Sequence, residues 1–208
     1  FDPRTSSWAP IPPMERKRSH LGVTVLDGSI YAVGGYAGGS NRLSSVERYD
    51  VAASVWRQVA DLAGKREALA AGTLDGKIYA VGGRNAEGEP LSSVECYDPE
   101  ANAWHEVAPM STSRVHPAVG VLNGRLYAVG GTDSMGNVLD SVERFDPLRG
   151  IWERAAPMRV KRQAAAVGVL NNTLYVMGGR DASAVLRSVE RYDELRGEWE
   201  VVAPMLLR

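Results

Sequence analysis

The stretch HLGVTVLDGSIYAVGG, residues 20–35, reads as two short strands joined by a tight turn. Asp27-Gly28 at its centre is the kind of pair a two-residue hairpin selects, because both turn residues must adopt positive φ. Gly34-Gly35 closes the second strand, and the same pair returns at Gly82-Gly83, Gly130-Gly131 and Gly178-Gly179, 48 residues apart each time. The turn keeps step as Asp75-Gly76, Asn123-Gly124 and Asn171-Asn172. One hairpin is therefore one part of a unit used four times.

Outward from the hairpin, Trp8, Trp56, Trp104, Trp152 and Trp199 hold the same beat, the last interval being 47. An aromatic-Asp pair precedes each of them: Phe1-Asp2, Tyr49-Asp50, Tyr97-Asp98, Phe145-Asp146 and Tyr192-Asp193. The one deleted residue falls between Gly179 and Tyr192, in a loop that tolerates length change. The first period divides into strands A (His20–Leu26), B (Ser29–Gly35), C (Ser44–Asp50) and D (Val55–Asp61). Asp98-Pro99 and Asp146-Pro147 open the C–D turns, where proline presets φ. In strand A, Leu21, Val23 and Val25 alternate with Gly22, Thr24 and Leu26, so both faces are small or apolar and both need covering. No segment sustains a 3.6-residue apolar period between the Gly and Pro breaks, which excludes a helical reading. Four-stranded antiparallel meanders covered on both faces stand radially, as an all-β propeller.

Bulk properties narrow the function classes. The chain has 208 residues, 44% hydrophobic, with 24 Lys and Arg against 25 Asp and Glu, so no overall charge excess points to nucleic acid or a membrane surface. Its apolar runs are strand-sized, short of the about 20 residues that cross a bilayer. Cys96 is the single cysteine and can form no internal disulfide, which fits a reducing, cytoplasmic home. The chain begins at Phe1 and ends directly after Arg208, and is expected to be part of something longer.

Gly-Gly after strand B, Val-Glu-Arg-Tyr-Asp in strand C (residues 46–50 and 189–193, with Phe for Tyr in 142–146), Trp in strand D and Ala-Pro-Met after it (108–110, 156–158, 203–205) resemble the kelch repeat over nearly the whole chain. Cys96 replaces the strand C Arg, and Asp61-Leu62 departs from Pro-Met. The resemblance implies one partial kelch propeller over residues 1–208: the end of a preceding blade in 1–14, then blades at about 15–62, 63–110, 111–158 and 159–205, as an open part of a six-bladed ring. It is strongest to BTB-kelch proteins and implies a substrate-recognition propeller of a cullin-RING ubiquitin-ligase adaptor; an actin-associated or other structural scaffold is the alternative. Kelch propellers also include copper oxidases and sugar epimerases. Here His20, His105 and His116 are the only histidines, with no second Cys and no acidic cluster at ligand spacing, so no enzyme, metal or cofactor is expected.

Meander topology puts the B–C loops and D–A connections on one side of the disc. Residues 15–18, 63–67, 111–114 and 159–162 there carry nine positive and two negative side chains, a net +7. Arg18, Arg66, Arg114 and Arg162 share one register at the entrance to strand A and are expected to ring the channel mouth. They read equally well as intradomain partners of Glu47, Glu95, Glu143 and Glu190, which recur in strand C, and both readings stay open on the sequence. Lys17, Lys65 and Lys161 read as solvated charges. Loop residues Tyr36, Arg84, Asn85, Asp133, Arg180 and Asp181, with His20 and His116 beside the ring arginines, differ from blade to blade as a recognition surface does; Arg84-Asn85 resembles the position from which this family contacts acidic ligands. The expected partner is an acidic or phosphorylated protein segment, bound on this face. The chain by itself is expected to self-associate.

Overall fold

A computed structural model describes residues 1–206. Those residues form 16 strands and no helix, so none is long and apolar enough to cross a membrane. Blade 1 holds β1 (Gly22–Leu26), β2 (Ser29–Val33), β3 (Val46–Asp50) and β4 (Val55–Val59). Blade 2 holds β5 (Ala70–Leu74), β6 (Lys77–Val81), β7 (Val94–Asp98) and β8 (Ala103–Val107). Blade 3 holds β9 (Ala118–Leu122), β10 (Arg125–Val129), β11 (Val142–Asp146) and β12 (Ile151–Ala155), and blade 4 holds β13 (Ala166–Leu170), β14 (Thr173–Met177), β15 (Val189–Asp193) and β16 (Glu198–Val202). Each blade is one antiparallel meander in sequence order. In blade 1 each strand is two residues shorter than the expected A–D limits, and for strand B the two are the Gly pair, which lies outside the ladder.

The turn chemistry acts as the sequence implies. Asp27 and Gly28 take φ of 48° and 70°, so the β1–β2 register closes on Leu26 opposite Ser29. At the other end of the hairpin, Gly82 and Gly83 sit at φ of 62° and 97°, and a Cβ on either would come within 2.4 Å of a carbonyl oxygen, that of Arg114 or Glu67. Only glycine allows this approach of two backbones.

The core lies between blades rather than within them. Leu26, Val33 and Val46 of blade 1 pack with Leu69, Ile78 and Tyr97 of blade 2, and equivalent clusters join blades 2 to 3 and 3 to 4. Each strand D Trp crosses its blade boundary too. The Nε1–H groups of Trp56, Trp104, Trp152 and Trp199 donate at 2.9 Å to the carbonyls of Pro12, Ala60, Ala108 and Ala156 in the preceding connection. Trp8 is the exception. Residues 1–14 contain an isolated bridge between Asp2 and Ser7 and no strand, since no strand C stands beside them, and Trp8 is 83% exposed.

The inner strands pack in series, β1 on β5, β5 on β9 and β9 on β13. Even-numbered residues of β1 face the next blade and odd-numbered ones the preceding side, so the end blades show where covering stops. Leu26, Leu74 and Leu122 are buried, while Leu170 at the same register is 63% exposed; Val23 and Val25 are exposed at the other end. The four blades form an open arc.

Candidate functional site

The mouth face begins where each inner strand is entered, and there the four ring arginines point inward. Arg66 donates from Nη1 to the carbonyls of Gly82 and Ser93, both at 2.9 Å, and from Nη2 to Ser93 Oγ at 3.1 Å and Glu95 Oε1 at 2.9 Å. Arg18, Arg114 and Arg162 repeat this set with Glu47, Glu143 and Glu190, and all eight charged side chains are buried. The remaining carboxylate oxygen is used as well, since Glu95 Oε2 accepts from Ala63 N–H at 2.7 Å and Glu143 Oε2 from Ser111 N–H at 2.7 Å. Burial lowers the pKa of Arg114, against Glu143, which raises it. The expectation that Arg18, Arg66, Arg114 and Arg162 present themselves to a partner is therefore corrected: each guanidinium is consumed by its own blade, and of the two readings the intradomain one is what the structure has.

This changes the charge of the face. Four of the seven surplus positives are cancelled by the buried Glu partners, and loop residues 36–43, 84–91, 132–139 and 180–187 carry four positives and four negatives, which leaves +3. In the D–A connections the exposed cations are Arg16, Lys17, Lys65, Arg159 and Lys161, and in the loops Arg180 and Arg187.

Behind the clasp the rim is built by backbone pairing. Ser19, Glu67, Val115 and Gln163 bridge to Tyr36, Arg84, Thr132 and Arg180 through reciprocal N–H to carbonyl bonds of 2.8–3.1 Å. The next residues, His20, Ala68, His116 and Ala164, form a backbone chain around the mouth: Ala68 N–H donates to His20 O, His116 N–H to Ala68 O and Ala164 N–H to His116 O, at 2.8–3.0 Å. Positions that vary most between blades thus stand on the most regular backbone of the face. Side chains add links between blades that sequence reading missed. Arg42 of blade 1 pairs with Glu67 of blade 2 at 2.8 Å and donates to Ala86 O at 2.9 Å, and Thr132 Oγ1 donates to Gln163 Oε1 at 3.0 Å. Arg42 could have been noticed as the one charge in its loop.

Among the loop residues, Asn85, Asp133 and Asp181 turn back on their own segments. Asn85 Oδ1 accepts from Glu87 and Glu89 N–H, Asp133 Oδ1 from Met135 and Asn137 N–H, and Asp181 Oδ1 from Ser183 and Ala184 N–H. These bonds, with the Asn137 side chain foremost at Asp133, hold both carboxyls below the usual carboxylate range. The three side chains shape the loops that carry them. The signal was present in two of the loops as an Asx residue three before a glycine, Asn85 to Gly88 and Asp133 to Gly136. Tyr36 donates from its hydroxyl to Gly39 O at 2.6 Å and keeps its ring on the rim. Among the described residues Arg84 donates to Gly88 O at 3.1 Å and has no carboxylate partner, and Arg180 is exposed and has no side-chain partner.

Concavities beside the loops open on this face. One, of about 340 Å³, is lined by His20, Tyr36, Arg42, Glu67, Arg84 and His116. Another, of about 530 Å³, lies between the loops of blades 3 and 4 beside Arg159 and Lys161. His105 stands apart on β8, exposed and opposite Cys96 of β7. Cys96 is buried, its thiol pKa raised by desolvation. Among the described residues no three His, Cys, Asp or Glu side chains gather as metal ligands.

The kelch motif matches residues 17–63, 65–111, 113–159 and 161–206, one match per blade. The fold is also that of a solved structure described as "Structure of YjhT", which superposes with a TM-score of 0.82 at 18% identity, covering 94% of this chain and 68% of that one. With the motif spanning most of its length and each copy folded as one blade, the chain belongs to the kelch-motif family.

Proposed function

We propose that this kelch propeller is a protein-interaction module, not an enzyme, and that its mouth face grips an acidic or phosphorylated segment of a partner, as the substrate-recognition propeller of a cytoplasmic cullin-RING ubiquitin-ligase adaptor. The observation that carries the binding part of this reading is the rim itself: a backbone-bridged frame on which Tyr36, Arg84, Thr132 and Arg180 occupy one register with four different surroundings. Of the basic residues there, Arg84 and Arg180 keep guanidinium capacity unspent, and a planar fork of donors suits carboxylate or phosphate. The ligase role is supported by the family resemblance alone.

A peptide array with acidic and neutral sequences, followed by titration calorimetry, tests it. Arg84→Ala and Arg180→Ala should each weaken acidic-peptide binding by about 1–3 kcal/mol, as for a lost charged hydrogen bond. Equal capture of acidic and neutral peptides, or affinity unmoved in the double variant, would overturn the reading.

A structural-scaffold role is the second reading, favoured by one observation. On the opposite face, Leu148 and Leu195 occupy the same turn position in blades 3 and 4 and are almost wholly exposed. Leu148→Ser with Leu195→Ser would then abolish partner capture while Arg84→Ala leaves it intact.

A further inference from the structure

His20 and His116 belong to blades 1 and 3, yet their rings meet, because the rim residue between them is Ala68. The ring centroids lie 5.3 Å apart with planes at 77°. Both residues hold left-handed φ, 51° and 52°, and both are tied to Ala68 by backbone bonds of 2.8 Å. The imidazoles form one wall of the 340 Å³ cavity, and the charged or titratable groups on the others are Tyr36, Arg42, Glu67 and Arg84. Glu67 is already bound to Arg42, and the Tyr36 hydroxyl to Gly39 O. Arg84 is the cation there with no carboxylate partner among the described residues.

We propose that this cavity is a proton-coupled carboxylate site: an acidic side chain of the bound segment enters between His20, His116 and Arg84 and is held more tightly as the imidazoles protonate. The inference rests on the acidic-partner reading above. In the free protein a proton on His116 would face the His20 ring and the Arg84 guanidinium, so His116 resists it; an anion seated among them reverses the balance. His116 shows the first half of this, since burial, then His20 and Arg84, lower its pKa, while Glu67 raises it.

The sign follows from linkage. Ligand binding raises the imidazole midpoints, so the gain in affinity is absent above the bound-state midpoint, grows as pH falls through it, and levels off below the free-state midpoint. Carboxylates of a Glu- or Asp-rich peptide stay ionised from pH 8 to 5.5, so the peptide adds no pH dependence of its own. The chain has three histidines, and the third, His105, is on an outer strand.

The probe is a rhodamine-labelled (Asp-Glu-Gly)₄ peptide, followed by anisotropy between pH 8 and 5.5. Wild-type protein should bind about tenfold tighter at pH 5.5, and calorimetry in two buffers of different ionisation enthalpy should read roughly one to two protons taken up. His20→Asn with His116→Asn should bind with a flat pH profile; asparagine tolerates the left-handed backbone of both positions. Arg84→Ala should weaken binding at every pH while keeping the slope. In the free protein, proton NMR of the imidazoles should show the His116 midpoint rising in His20→Asn. Wild-type affinity equal at the two pH limits, a slope that survives in the double variant, or an unmoved His116 midpoint would each overturn proton coupling and leave the acidic-partner reading standing. Absence of peptide binding at any pH would overturn both.

Discussion

At Arg66, burial strips a guanidinium of water, and the blade returns two carbonyls, a hydroxyl and a carboxylate in its place. Desolvating both ions consumes most of the Coulomb gain, so the pair adds little over an apolar substitute, but losing one partner strands the other charge. Arg66→Ala should therefore destabilise by about 3–5 kcal/mol in denaturant melts, and adding Glu95→Gln should return part of that loss. A loss below about 1 kcal/mol would show that water reaches Glu95. This is the residue at which the sequence could not choose. Recurrence of Arg and Glu in every blade suits a ring of ligands and a ring of clasps equally, and the deciding fact is that residues 29 apart in the chain meet in space. Asn85 and Asp133 were more legible, since their Asx spacing to glycine already announced a local turn. The His20–His116 contact was hidden, because it depends on the size of Ala68 in a third blade.

Strand A shows how a single face of one element sets the blade spacing. A Cβ on Gly120 would lie 2.5 Å from Leu174 Cδ1 and Val167 Cγ1 of the next blade, and one on Gly72 would lie 2.6 Å from Val119 Cγ1. At the same register Gly168 would meet only Met177 Cε at 3.7 Å, and blade 1 uses Thr24, which reaches Thr73 Oγ1 at 2.9 Å. Gly120→Ala should cost about 1–3 kcal/mol by overpacking a boundary that stiff valine cannot relieve. Gly168→Ala should be neutral or stabilising by up to about 1 kcal/mol, since its backbone is unstrained and its face open. Equal melts for the two variants would show that the boundaries are looser than this geometry. The Trp of strand D behaves likewise: Trp199→Ala should cost about 3–5 kcal/mol from a buried site, and Trp8→Ala almost nothing. At this scale the sequence was nearly sufficient. Asp-Gly turns fixed the A–B hairpins, Gly-Gly fixed where they end, and two-faced apolar alternation required neighbours. Around Trp8 it misled, because a strand D motif without a strand C beside it has nothing to pair with.

The arc as a whole carries the same interface three times and leaves half of it bare at each end. Blade 1 exposes Val23 and Val25, whose counterparts Val119 and Val121 are covered in blade 3, and blade 4 exposes Leu170 where Leu26, Leu74 and Leu122 are buried. These two surfaces complement each other by construction, since every inner boundary joins one to the other. Apolar patches of this kind seldom stay solvated on a monomer. The 208-residue chain should therefore associate at tens of micromolar, end to end, in a heterologous contact that need not close. Light scattering should show mass rising with concentration, and sulfate should strengthen the association because it favours apolar burial. Acidic-peptide binding at the mouth should instead weaken with salt, as screened charge does. Val25→Lys with Leu170→Lys places charge on both bare faces at positions already exposed, so it should give a monomer with an unchanged melt. A wild-type chain that stays monomeric across that range would mean that the end blades satisfy their own inner strands, and that three boundaries are enough to hold four blades.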